Sequence, residues 1–178
     1  MTQIDDARPY GPTLRTLIRY AIVMAFVGLL IGISYQESAK KLPFDDAPGG
    51  VHLEAVIHLA LVHGHVFTLG VLLPLALAGA LVLAQRAGGR EVSRLGLRCL
   101  TWGYLPFAAA SLLLQLYKGY HTLLMARGGT LDFVAIDAAF MGGSHLFRYG
   151  IYALVHGGMG VALGAFLVTL WRSLRGAA

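Results

Sequence analysis

A single cysteine, Cys99, stands in 178 residues, so no intrachain disulfide can form. Its place at the start of an apolar run marks it as chemically inert. Charge is scarce too: 13% of residues are Asp, Glu, Lys or Arg, against 57% hydrophobic. No acidic residue falls in the centre of an apolar run, and Ser111 and Ser144 lack an acid and base at helical spacing. Hydrolytic chemistry therefore has no support. The opening residues MTQIDDARPYGP lack the basic segment of a cleaved secretory signal, so the first apolar run is expected to remain as a helix. No basic stripe with interleaved aromatics is left over for nucleic acid.

What is present is apolar length. Mean hydropathy is +0.67, far from the balance of a water-soluble domain. Four runs, about 14–35, 53–83, 97–120 and 149–171, each reach the roughly 20 residues that cross the hydrocarbon core of a bilayer. The expected fold is all-α, an integral membrane four-helix bundle in one domain spanning residues 1–178. Arg8, Arg15 and Arg19 precede the first run, Arg86, Arg90, Arg94 and Arg98 crowd the second connection, and Arg172 and Arg175 follow the last. The positive-inside rule then places both termini in the cytoplasm. The net charge of +5 reads as topology, with the lipid bilayer as the first partner. Glu37, Lys40, Lys41, Asp45, Asp46 and Glu54 fall on the outer side. Pro43, Pro48, Gly49 and Gly50 mark the first outer connection as a loop, and Pro74 is expected to kink the second span. The outer connection 121–148 carries Leu131, Phe133, Val134, Ile136, Phe140 and Met141, a pattern for a short interfacial helix or lid.

Four of the seven histidines sit in one such run: His52, His58, His63 and His65. An ionisable side chain at membrane depth points to a functional site. At about 100° per residue His58 and His65 share one helical face, and His52 and His63 share another about 140° away. In the last run His145, Tyr149, Tyr152 and His156 recur at spacings of four, three and four, which gives one polar-aromatic stripe. Rising about 1.5 Å per residue, His63, His65 and His156 come level in the outer half of the bundle. His52, His58, His121 and His145 form a shallower layer.

A membrane-embedded haem b needs two neutral imidazoles facing each other, each ring fixed by a hydrogen-bond partner. It also needs small residues beside a flat macrocycle, and cations or tyrosines near the propionates. His63 or His65 opposite His156 supplies the ligands, with His65 preferred because His58 continues its face outward. Gly157 and its neighbours supply space, and Tyr149, Tyr152, Arg148 and Lys118 supply the edge. Haem b, used for electron transfer linked to quinol or quinone, is the leading expectation; an oxidoreductase or electron-transfer subunit would fit it. Copper or zinc is the alternative, drawing on His65, His156, His63, His58, His121 and His145, with the shallow layer of His52, His58, His121 and His145 as one such site facing the outer compartment. An accessory subunit of a larger membrane complex would also fit, and a homo-oligomer is a further candidate partner. Direct quinol or proton handling, or hydrogen bonding between helices without any cofactor, are further uses of the same rings.

Three stretches together resemble a known group. They are Gly28-Leu29-Leu30-Ile31-Gly32-Ile33-Ser34-Tyr35-Gln36-Glu37, then His63-Gly64-His65-Val66-Phe67-Thr68-Leu69-Gly70, then His156-Gly157-Gly158. They look like a family of small bacterial four-helix membrane proteins of unknown function. The resemblance implies the fold, a multi-pass place in the bacterial inner membrane, and the His63, His65 and His156 positions. It names no reaction. The long connection with His121 and His145 departs from the family pattern, so those two residues gain nothing from it. In plan, the chain is also similar to four-helix b-type cytochromes.

Overall fold

The computed structural model describes residues 9–40 and 50–175. The expectations for Arg8, Lys41, Asp45, Asp46 and the breakers Pro43, Pro48 and Gly49 lie outside the described residues. Among those described, the chain forms five helices and no strand. We label them α1 (Gly11–Ala39), α2 (Val51–Arg86), α3 (Arg94–Arg127), α4 (Phe133–Ala139) and α5 (His145–Leu174). All but α4 are long and apolar enough to cross a membrane. Every long helix overruns its apolar run, because hydropathy marks the stretch suited to lipid whereas helical hydrogen bonding continues through polar ends such as Lys118 to Arg127. The four long helices run up and down, which gives the bundle an arginine end, with the starts of α1 and α3, and a histidine end, with the start of α2.

Capping side chains fix the connections. Ser93 accepts from the Gly96 amide, Asp132 from Val134 and Ala135, and Ser144 from Phe147, the groups a helix start leaves without partners. The Tyr10 hydroxyl accepts from the Val92 amide at 2.9 Å, tying the start of α1 to the α2–α3 turn. Across the helices, lipid tails and side chains are equally apolar, so close packing rather than hydrophobic transfer holds the rods together. A Cβ at Gly103 would lie 2.7 Å from that of Ala162, and this closeness brings α3 against α5. The outward side of α1 is paved with Ile22, Phe26, Leu30 and Ile33, each more than half exposed, a surface compatible with lipid.

Two helices carry a π-helical turn, Val66–Leu72 in α2 and Cys99–Tyr104 in α3. Each is followed two residues later by a proline, Pro74 and Pro106. Proline has no amide hydrogen and its ring crowds the carbonyl four residues back; the wider turn accommodates both faults without ending the helix.

The core is uneven along the bundle. At the arginine end all four long helices meet, with Leu17, Leu81, Tyr104 and Phe166 fully enclosed. Toward the histidine end the core clusters come from α1, α2 and α3, including Val56, Leu59, Val62, Leu112 and Leu123, with Ile136 and Phe140 of the α4 segment and Arg148 of α5 also buried. There α5 packs on α3 but has no extensive contact with α2, so a cleft opens between them.

Candidate functional site

His65 closes the last α-helical turn of α2, immediately before the π turn. Its Nδ1 lies 2.7 Å from the Leu61 carbonyl. A carbonyl can only accept, so Nδ1 carries the hydrogen and Nε2 keeps its lone pair. That ring lines a groove of about 250 Å³ with His58, Gln115, Lys118 and Tyr152. The walls are α2 and α5, and α3 is the floor.

His156 on α5 is held the same way. Its Nδ1 is 3.1 Å from the Tyr152 carbonyl, one turn back, so its Nε2 also presents a lone pair. The hydroxyl of Ser111, fully buried on α3, donates to that nitrogen at 3.1 Å. Tyr152 stacks on the imidazole with ring centroids 5.6 Å apart and planes 20° from parallel. Tyr152 therefore borders the groove on one side and fixes the plane of His156 on the other. In both histidines the partner that orients the ring is the chain's own carbonyl four residues earlier.

His63 points elsewhere. Its Nδ1 donates to the Gly28 carbonyl at 2.9 Å, and Gly32 leaves the ring room: a Cβ there would lie 2.7 Å from Cε1. Phe67 meets it edge-on at 5.2 Å. This imidazole belongs to the α1–α2 contact.

A second groove of about 210 Å³ shares His58 with the first and adds Glu54, Thr122, Phe133 and Asp137. The segment after α3 closes over it. Lys118 reaches Asp137 Oδ1 at 2.7 Å, and Arg148 donates to Oδ2 at 3.0 Å and to the Asp137 carbonyl. The Lys118 ammonium bonded to Asp137 holds its carboxyl below the ordinary range, aided by the Arg148 guanidinium and opposed by partial burial. His121 donates from Nε2 to the Ile136 carbonyl at 3.3 Å and packs on Phe140, which fastens α4 to α3.

The shallow layer of histidines is not brought together. His52 donates to the Ala39 carbonyl at 3.2 Å, His121 is turned to α4, and His145 is exposed, accepting from Arg148 at 3.3 Å and stacking on Tyr149. Equal height along a bundle does not fix the direction in which a helix is rotated, and here the four rings face different neighbours. Among the described residues no group of three or more His, Cys, Asp or Glu side chains is placed to hold a metal ion. Tyr149, 62% exposed, lies outside the groove. Gly157 is exposed with open space around its Cα, about 180° around α5 from buried Phe166 at 100° per residue.

Two parts of the site escape a reading built on histidines. Ser111, Gln115, Lys118 and Thr122 recur on α3 at spacings of four, three and four, a polar stripe in a membrane-length helix that matches the one on α5. The bond between Asp137 and its two cations is the other; distant in sequence, its members carry no periodic signal. No protein-family model, curated protein or solved structure matches this chain.

Proposed function

We propose that the chain is a multi-pass membrane protein that holds haem b in the cleft between α2 and α5 and relays electrons. His65 and His156 would hold the iron in this reading. One observation carries it: both imidazoles have Nδ1 tied to a carbonyl on their own helix, which leaves Nε2 unprotonated, the tautomer a ligating histidine requires. His65 lines the groove, while His156 stacks on Tyr152 at its edge with Ser111 at Nε2. The space fits a group larger than an ion. The groove holds about 250 Å³ and shares His58 with the second groove of about 210 Å³, against the ~300–1,000 Å³ of small-molecule sites. A bare copper or zinc ion needs three or four ligands, and the described residues offer no such set. A haem needs two.

Haem in a bis-imidazole site supplies one-electron transfer between donor and acceptor. The chain's own residues would do the rest. Tyr152 keeps the His156 ring in one plane. Ser111 satisfies Nε2 of His156 when no ligand is bound. Lys118, at the edge of the groove, offers a cation to carboxylate substituents, and the α4 segment pinned by Asp137 limits water entry. With arginines at the other end, the histidine end faces away from the cytoplasm in a bacterial inner membrane, and a quinol or quinone is the partner expected there.

The test is haem content after purification from haem-replete cells. Parent protein and His63→Ala should carry haem, while His65→Ala and His156→Ala should lose most of it. Retention by both latter variants, or a haem-free parent, overturns the assignment.

A further inference from the structure

A groove of about 580 Å³ lies at the opposite end from the histidines, between the start of α1 and the first half of α3. We propose that it is a binding site for a phospholipid with an anionic headgroup. This goes beyond the haem reading and does not depend on it.

The groove is graded along its length. Arg94 and Arg98 stand one turn apart at its mouth, both exposed, and Trp102 follows after another turn, 82% exposed. Leu105, Pro106 and Ala109 form the far part. From Arg94 to Ala109 the helix advances about 22 Å at 1.5 Å per residue, so a charged head and an apolar tail would each find a matching stretch. A small anion would leave the apolar length unused.

The hydrogen-bonding inventory separates a phosphate from a neutral ligand. Thr16 donates to the Pro12 carbonyl, Thr101 to Leu97 and Tyr20 to Leu105. Those hydroxyl hydrogens are spent on the backbone, so the donors left to a ligand are the Thr13 hydroxyl, the Trp102 indole N–H and the two guanidiniums, and only the guanidiniums carry charge. Neither guanidinium makes an ion pair with a described residue. Guanidinium forks match phosphate oxygens, two bonds at a time. The surroundings agree in sign: among the described residues this end carries Arg15, Arg19, Arg86, Arg90, Arg94, Arg98, Arg172 and Arg175 against the single acid Glu91.

The experiment uses the full chain with Trp171→Phe, which leaves Trp102 as the one indole of two. Brominated phosphatidylglycerol and brominated phosphatidylcholine are titrated into detergent-solubilised protein, and quenching of Trp102 is read. Both headgroups carry a phosphate, but choline neutralises that of phosphatidylcholine; at about fivefold per arginine for the net negative charge, phosphatidylglycerol should bind about 30-fold more tightly. Arg94→Gln with Arg98→Gln should bring the two lipids level, with the helical circular dichroism unchanged. Arg86→Gln with Arg90→Gln, which removes equal charge outside the groove, should keep the preference. Equal quenching by both lipids in the parent overturns the proposal. So does an equal loss in both double variants, which would make the attraction a diffuse field, or displacement of phosphatidylglycerol by a short-chain quinone.

Discussion

Replacing Tyr104 by phenylalanine removes one oxygen from the middle of the bundle and tests how the π turn before Pro74 is held. In that turn the Leu73 amide bonds back to the Thr68 carbonyl, five residues away. By the same offset the Leu69 carbonyl would be served by residue 74, a proline without an N–H. The Tyr104 hydroxyl, on a fully buried ring of α3, donates to that carbonyl at 2.8 Å. Without it, the Leu69 carbonyl loses this donor in a partly buried position. A buried unsatisfied group costs about 1–3 kcal/mol, while hydrogen bonds between membrane helices average about 0.6 and reach about 1.7 kcal/mol. The expected loss is about 1.5 kcal/mol, roughly tenfold in the folding equilibrium. Reversible unfolding in mixed micelles, followed by far-ultraviolet circular dichroism against dodecyl sulfate fraction, measures it. Tyr20→Phe is the comparison, since its bond to the Leu105 carbonyl is longer at 3.3 Å and its ring is only half-buried; its loss should be less than half as large. Because the turn begins directly after His65, relaxation to an α-helix would also turn that ring by about 100°, and Tyr104→Phe should lower haem occupancy. A Tyr104→Phe protein within about 0.5 kcal/mol of the parent, the scatter of neutral surface changes, refutes the argument.

Gly32→Leu should drive the His63 ring off the Gly28 carbonyl and destabilise the α1–α2 contact by about 1–3 kcal/mol, with haem retained; loss of haem at full helicity would make His63 a ligand. Ser111→Ala frees Nε2 of His156 from its hydroxyl, so occupancy at limiting haem should rise, and a fall would place the hydroxyl among the groups that hold the cofactor. The Asp137 carboxyl is depressed by Lys118 and Arg148, so the attachment of α4 is complete above the ordinary carboxylate range near pH 4 and weakens as pH falls through the lower, folded value. Amide protection factors in α4, taken against the intrinsic exchange rate at each pH, should therefore fall in acid for the parent, while Asp137→Asn should show low protection at pH 7 that changes little in acid. An Asp137→Asn protein with parental protection at pH 7 would show that the two cations do not hold the loop.

Much of this was legible in the chain. Four apolar runs give four long helices because length and hydropathy are local properties, and the segment around Phe133 and Ile136 announces α4 by its apolar spacing. The rotation of a helix about its axis is not legible in this way. Gly64 separates two imidazoles by about 200°, and which of them faces α1 is decided by the glycines at 28 and 32 opposite. The same gap undoes the shallow group of His52, His58, His121 and His145, which agree in height and diverge in direction. The π turns leave little trace beyond Pro74 and Pro106, since nothing local distinguishes a proline absorbed by a widened turn from one that kinks a helix.

The most direct measurement is the low-temperature electron paramagnetic resonance spectrum of the oxidised, purified protein, taken with its optical spectrum. Two histidine ligands from α2 and α5 predict a low-spin ferric signal and a Soret band that moves on reduction, both lost in His65→Ala and in His156→Ala. A colourless preparation from haem-replete cells, or a signal that survives both substitutions, would contradict the account.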